Sequence, residues 1–357
     1  MEGNSLVHGG DWAGFEMEYG RPPLDFSSNV SPLGVPEGVR NAVAEAVCTA
    51  DRYPDPLCRE LRRAISKAEQ IPAEWCLCGC GSADLIYRVV LAKRPRRALV
   101  TAPTFGEYGA ALELARCRVE QHPLKEKNGF VLQEDFLAAI TPETDMVFLC
   151  EPNNPTGRTT PKPLLRAVLD RCAEMGTLLV VDECFGGFLA DPDAHTLKGL
   201  LAEYPNLLLL KAFTKLYALA GLRLGYCLCA NGPLLEAMRM SGQPWAVSAP
   251  AQAAGTAALE ETDYVRRVRA LIAAERPWLA GELGRLGLRV IPGEANYLLF
   301  HTPVPLLEPL RRRGILLRGC GNYSGLDGGW YRTAVRTAEE NRQLVAALTE
   351  IVKEGNV

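Results

Sequence analysis

The sequence is short of the features that mark specialised protein classes. Four histidines, and twelve cysteines with no Cys-x-x-Cys spacing, leave it without the ligand sets that zinc centres use, and no metal is expected. Positive charge is not in surplus: 39 Lys and Arg against 42 Asp and Glu give a net charge of −3. A partner bound by phosphate neutralisation, such as nucleic acid, is therefore not expected. The one dense basic run, Arg311 to Arg313, reads as a solvated helix face. There is no apolar stretch of membrane-spanning length, since the run from Leu219 to Ala230 is broken by Arg223, and residues 1–10 hold no apolar signal region. The expectation is no membrane span, no signal peptide and a cytoplasmic protein. Cysteine density is below that of a disulfide scaffold. Cys150, Cys184, Cys227 and Cys229 sit inside apolar runs, where thiols act as small hydrophobes, so reduced thiols are expected.

What is present is ordinary globular composition, 48% hydrophobic and 23% charged. The length suits two or three small domains, or one large domain with an appendage. Short apolar runs recur at Ala98–Ala102, Met146–Cys150, Leu178–Val181 and Leu207–Leu210, as in strands buried on both faces. Helix-period segments such as Ala83–Lys93 and Leu164–Met175 separate them. This alternation predicts an α/β fold, a mostly parallel sheet wrapped by helices. Further on, a long helix over Tyr264–Leu286, strands over Asn296–Phe300 and Trp330–Val335 and a last helix over Glu339–Lys353 predict a smaller α+β unit. The boundaries read as 46–240 for the large domain, with 1–45 and 241–357 forming the small one.

Four segments carry candidate chemistry. The Leu178–Val181 strand delivers Asp182 and Glu183 to the carboxyl edge of the sheet, where ligands bind. A helix cap or a metal ligand would give the same pattern. Lys215 follows an apolar strand and precedes Leu216–Leu222. Apolar surroundings lower a lysine's pKa and make it nucleophilic, although a lysine snorkelling at a strand end looks alike. Pro152-Asn153-Asn154-Pro155-Thr156-Gly157 is a stiff turn from which Asn154 can donate its amide. Cys78-Gly79-Cys80-Gly81-Ser82-Ala83-Asp84 opens a helix with small residues, an arrangement suited to a phosphate.

In that order along the chain, Asn154, Asp182, Lys215 and Arg223 resemble the fold-type I pyridoxal-phosphate enzymes, the aspartate aminotransferase superfamily. The strings PNNPTG (152–157), VVDE (180–183) and TKLYALAGLRLGY (214–226) carry the likeness. The resemblance implies an aspartate-aminotransferase-like fold and pyridoxal 5′-phosphate as cofactor. Lys215 would join its amine to the cofactor aldehyde, Asp182 would face the ring nitrogen, and Asn154 would bond the ring's phenolic oxygen. Arg223, Ser82 and the Ala83 N–H would take the cofactor phosphate, and Phe105 would stack on the ring. Tyr53 would reach the phosphate held by a partner subunit, since family members are usually homodimers. Arg332 would clamp the substrate carboxylate. Two departures stand out: Phe185 where many members have Tyr, and Ala212 where Ser or Thr commonly binds phosphate, a loss that Thr214 or water would make good.

The N-terminal strings narrow the branch. His8-Gly9-Gly10, LDFSSNVSPLGVP (24–36), RYPDP (52–56) and VRTAEENRQL (335–344) look like the threonine-phosphate decarboxylases of cobalamin biosynthesis. The histidinol-phosphate aminotransferases are the near alternative. On this likeness the substrate is a small phosphorylated amino acid, O-phospho-L-threonine or O-phospho-L-serine. His8, the Gly9 and Gly10 amides, Asn29, Asn154, Arg332 and Arg336 would hold it, with Arg318 as a further source of charge; a mobile tail residue would equally explain His8, and a surface salt bridge Arg336. A regulator or scaffold built on a cofactor-binding fold is the non-enzymatic alternative; intact Lys215 and Asp182 count against it.

Overall fold

The computed structural model describes residues 8–355. A helix (Trp12–Tyr19) and a short strand, β1 (Leu24–Asp25), come first. Seven strands then build the main sheet: β2 (Cys76–Gly79), β3 (Arg97–Ala102), β4 (Arg118–Pro123), β5 (Met146–Cys150), β6 (Leu178–Asp182), β7 (Leu207–Ala212) and β8 (Gly225–Leu228). Their spatial order is β2-β8-β7-β6-β5-β3-β4. All neighbours run parallel except β8, which opposes both β7 and β2.

The two-residue period of the strands explains the layering. Leu99, Val147, Leu149, Leu179, Val181, Leu207 and Leu209 feed one core. The residues between them, Val100, Met146, Phe148, Leu178, Val180, Leu208 and Leu210, feed another on the opposite face. With helices on both faces, every residue of β5 and β6 is buried. A one-residue slip would swap the two apolar sets, so register is strongly specified. The edge strand β4 is largely solvent-facing, carries Arg118 and Glu120 and ends at Pro123, features that discourage a further strand from pairing.

The remaining strands are β9 (Arg289–Ile291), β10 (Tyr297–His301), β11 (Ile315–Leu316), β12 (Arg318–Gly319) and β13 (Trp330–Ala334). Four of them form an antiparallel sheet in the order β12-β13-β10-β9. The helices Thr262–Arg285 and Ala338–Gly355 flank a core that includes Tyr264, Ile272, Leu279, Tyr297, Phe300, Leu344 and Leu348. β1 pairs in parallel with β11, which fastens the N-terminal segment beside this unit. The helix Glu37–Val47 packs on the helix Ala249–Ala258, and Val39, Ala251 and Ala254 belong to the core of the large sheet. No helix among the described residues is long and apolar enough to cross a membrane.

One topological fact positions the site. From β3 the chain steps outward to β4, then returns to lay β5 on the other side of β3. Crossovers leave in opposite directions at that point, so a crevice opens above the carboxyl ends of the strands. The loops after β3, β5, β6 and β7 all reach its rim.

Candidate active site

At the floor of the crevice, the chain turns from β2 into the helix Ser82–Lys93. Gly81 is the N-cap, with φ +85°, and provides no side-chain cap for the first-turn N–H groups of Ser82 and Ala83. A Cβ on Gly81 would stand 2.7 Å from Nη2 of Arg223, so glycine lets the guanidinium close on the helix end. Gly225 plays a matching part: its Cβ would stand 2.5 Å from the Ser82 nitrogen. Asp84 locks the turn, accepting from the Cys80 N–H at 2.9 Å and from Arg88 Nε at 2.9 Å. Uncapped amides, a positive dipole end and Arg223, which has no carboxylate partner among the described residues, make a receptor for a phosphate.

Asp182 ends β6 and is 5% exposed. It accepts from the Tyr108 hydroxyl at 2.7 Å and from the Cys184 N–H at 3.0 Å. Burial, then the Asp182 charge, push the Tyr108 hydroxyl well above its ordinary pKa, so it remains a donor. Lys215 stands on the one-turn helix Phe213–Leu216 that follows β7. Its amine lies 5.5 Å from the Phe185 ring centre. Burial lowers its pKa to about 8; the nearby Arg332 and Arg223 charges act in the same direction, while Cys184 and Asp182 oppose them. The result is a lysine that is easily made neutral.

The wall opposite comes from β13 and the N-terminal segment. Arg332 is 6% exposed and forms no ion pair among the described residues. It donates to the Ser27 carbonyl at 2.8 Å and to Asn154 Oδ1 at 2.5 Å, and its Nε has no partner. These bonds aim the guanidinium and also orient Asn154, whose Oδ1 is engaged so that its amide NH₂ is left to donate elsewhere. The loop bearing Asn154 is pinned by its neighbour: Asn153 donates to the Pro103 carbonyl and to Thr156 Oγ1, each at 3.0 Å, and accepts from Thr104 Oγ1 at 3.0 Å.

These groups surround one cavity of about 880 Å³, measured out to its open mouth. Of the expected residues, His8, Gly9, Asn29, Ser82, Ala83, Phe105, Asn154, Asp182, Thr214, Lys215, Arg223 and Arg332 line it. Arg318 lines it as well, donating to Asn322 Oδ1 at 2.8 Å. His8 meets Glu107 Oε1 at 2.7 Å beside the Phe105 ring. Asn29 is 2% exposed, and neither of its side-chain polar atoms has a partner among the described residues. Three expected residues stand apart from this cavity: Gly10, whose N–H donates to the Ser27 hydroxyl at 2.8 Å, Arg336 and Tyr53. Arg336 pairs with Glu340 at 2.6 Å and donates to the Asp25 carbonyl at 3.0 Å. Tyr53 is 81% exposed, with its ring 4.7 Å from that of Trp245.

Sequence reasoning assigned no role to Tyr108, Tyr323, Cys150, Cys184, Ser27 or Ser28. Tyr108 lies in the first turn of the helix Glu107–Leu114, its ring edge-on to that of Phe105 with centroids 5.6 Å apart, and its bond to Asp182 left no mark in the local sequence. Tyr323 left none either, because a loop far along the chain brings its hydroxyl 3.5 Å from Asn154 Oδ1.

The residues fit pyridoxal phosphate. An uncapped helix end with a guanidinium suits its phosphate, a buried carboxylate its ring nitrogen, a low-pKa amine its aldehyde and Phe105 its ring face. The comparisons agree with this chemistry. The family model for aminotransferase class I and II matches residues 21–348. The chain is 37% identical to the threonine-phosphate decarboxylase of Salmonella typhimurium over 353 residues, 97% of this chain and 96% of that protein. It is 35% identical to the histidinol-phosphate aminotransferase of Symbiobacterium thermophilum, over 93% of this chain and 91% of the relative. The fold superposes on the histidinol-phosphate aminotransferase of Sinorhizobium meliloti, solved in complex with pyridoxal 5′-phosphate, with TM-score 0.88 and 24% identity, covering 98% of this chain and 96% of that one.

Proposed function

From a chain that belongs to the class I and II aminotransferase family and is a pyridoxal-phosphate enzyme, we propose a decarboxylase of O-phosphorylated amino acids. O-phospho-L-threonine is the first candidate substrate, giving (R)-1-aminopropan-2-yl phosphate of the kind used in cobalamin biosynthesis. O-phospho-L-serine is the second, because one methyl group discriminates by only about 1–3 kcal/mol.

The observation that supports this reading is the charge of the cavity. Among the described residues its wall holds Arg223, Arg318, Arg332 and Lys215 with one carboxylate, Asp182, in a chain whose net charge is −3. Arg223 and the helix end account for the cofactor phosphate. Arg332, buried and without an ion pair among the described residues, then remains for a further anionic group, such as the carboxylate of a phosphorylated amino acid. Histidinol phosphate has no carboxylate for Arg332 to meet, whereas the keto acid of an aminotransferase has one, so the requirement for a keto acid is what separates the two readings.

Bound pyridoxal phosphate supplies an electron sink at the substrate's Cα. The chain's own residues do the rest. Arg332, held by Ser27 and Asn154, grips the carboxylate, while Arg318, His8 and Asn29 face the other end of the substrate. Holding both ends fixes which Cα bond is presented for cleavage. Loss of CO₂ leaves its electron pair at Cα, and Lys215 Nζ, with a pKa of about 8, returns a proton there.

The test is holoenzyme with O-phospho-L-threonine and no keto acid. CO₂ and one equivalent of the amino-alcohol phosphate are the expected products over many turnovers. Conversion that stalls after one turnover and resumes only with 2-oxoglutarate would overturn the reading in favour of an aminotransferase.

A further inference from the structure

One buried carboxylate lies just outside the machinery described so far. Asp25 is 2% exposed, does not line the cavity and has no basic side chain in ion-pairing distance among the described residues. A charge in that position is costly unless donors surround it. Here five do. Oδ1 accepts from the Ser27 N–H at 2.7 Å, the Ser27 hydroxyl at 2.6 Å and the Ser28 N–H at 3.3 Å. Oδ2 accepts from the Ser28 hydroxyl at 2.6 Å and from Trp12 Nε1 at 2.8 Å.

These donors belong to two separate pieces of chain. Ser27 and Ser28 lie in the loop that presents Asn29 to the cavity, and the Ser27 carbonyl orients Arg332. Trp12 belongs to the strap of residues 8–12, which brings His8 and Gly9 to the cavity mouth. A second fastening runs from the Gly10 N–H to the Ser27 hydroxyl at 2.8 Å. The strap lies so close that a Cβ on Gly9 would stand 2.5 Å from the Ser27 carbonyl oxygen. Every polar link on these contacts meets at Asp25 or at the hydroxyl it holds.

We propose that Asp25 is a positioning residue that clasps the N-terminal strap against the substrate loop and so sets the grip on the substrate's phosphoryl end. The inference rests on the phosphorylated substrate proposed above. Asp25→Asn keeps the shape but replaces one acceptor oxygen with an NH₂ donor, which must then face donors from Ser27 or from Ser28 and Trp12. Trp12→Phe removes one donor from a residue that is 45% exposed and leaves Asp25 and the loop intact.

The experiment compares the holoenzymes of wild type, Asp25→Asn and Trp12→Phe. Hydrogen exchange at residues 9–12, KM and kcat for O-phospho-L-threonine and the long-wavelength absorbance of the bound cofactor are measured together. In Asp25→Asn the strap amides exchange at least about tenfold faster and KM rises about tenfold, the worth of a charge-assisted hydrogen bond. kcat stays within about twofold and the absorbance is unchanged. Trp12→Phe moves exchange and KM in the same direction by less, and decides the matter should Asp25→Asn fail to fold. Faster exchange with KM unchanged overturns the inference, as does a raised KM with unchanged exchange or a fall in kcat with KM constant. A wild type that binds phosphothreonine but releases no CO₂ overturns the proposed reaction alone. The clasp is then judged by the dissociation constant from spectral titration, where equal values for wild type and Asp25→Asn overturn it.

Discussion

Lys215 is placed so that its amine can give up its proton near neutral pH. Burial first, and then the charges of Arg332 and Arg223, bring its pKa to about 8. A neutral amine is what attacks an aldehyde, so the fraction neutral sets the rate of cofactor capture. At pH 7.4 about a fifth of such an amine is neutral, against about a thousandth for an ordinary lysine. Capture of added pyridoxal phosphate by apoenzyme, followed by absorbance, is therefore expected to rise with pH and level off with a midpoint near 8. In Arg332→Gln one of the charges that oppose protonation is gone, so the midpoint moves up; an unmoved midpoint, or one near 10, contradicts the account. Asp182 and Lys215 were legible because apolar runs mark the strand that Asp182 ends and the strand from which the one-turn helix bearing Lys215 leads on, which places both at the carboxyl edge of the sheet. The bond of Tyr108 to Asp182 and the two bonds of Arg332 were not, since a hydrogen bond between residues 74, 178 or 305 positions apart depends on packing that no local pattern records. Arg336 shows the converse: its place in a motif suggested the substrate, and an i,i+4 neighbour, Glu340, takes its guanidinium.

Elements translate these side chains into a site through close backbone approach. Strand β8 runs against its neighbours and passes directly beside the start of the helix Ser82–Lys93. The approach depends on Gly225, whose Cβ would meet the Ser82 nitrogen at 2.5 Å, the Gly81 carbonyl carbon at 2.8 Å and the Lys211 carbonyl oxygen at 3.1 Å. All three are backbone atoms, so no side chain can swing away. Gly225→Ala must push β8 from the helix end, at a cost of about 1–3 kcal/mol. The expected outcome is a lower melting temperature together with weaker cofactor binding, because the displaced element forms the phosphate cup. An alanine variant with unchanged cofactor affinity would show that the cup tolerates the shift. β3, β5, β6 and β7 were readable from their apolar runs, since both faces are buried and the pattern is nearly continuous, whereas the polar, solvent-facing β4 left no such run. The pairing order was not readable: β8 is buried throughout like the parallel strands of the sheet, and nothing within residues 225–228 marks it as antiparallel.

At the scale of the whole molecule, Tyr53 is a residue whose single-chain environment does not explain its placement. It is 81% exposed beside Trp245, itself 45% exposed, at the end of a groove between the helices Glu37–Val47 and Ala249–Ala258. It does not line the cavity of its own chain. We propose that Tyr53 acts on the cofactor of a second copy, because it does not line the cavity of its own chain and the family resemblance implies a homodimer. The expectation is a two-chain species in sedimentation, in which Tyr53 of each chain bonds the phosphate held by the other. Tyr53→Phe then weakens cofactor binding about tenfold, the worth of one hydrogen bond to a charged group. Mixing separates this from a local effect. In hybrids of Tyr53→Phe and Lys215→Ala chains, the Lys215 of the first chain meets the intact Tyr53 of the second, and that site regains wild-type affinity and turnover. The other site carries both defects and stays silent. Recovery toward one working site per hybrid is expected after the two variants are unfolded and refolded together. If the mixture binds cofactor no better than the separate variants, Tyr53 acts within its own chain or not at all.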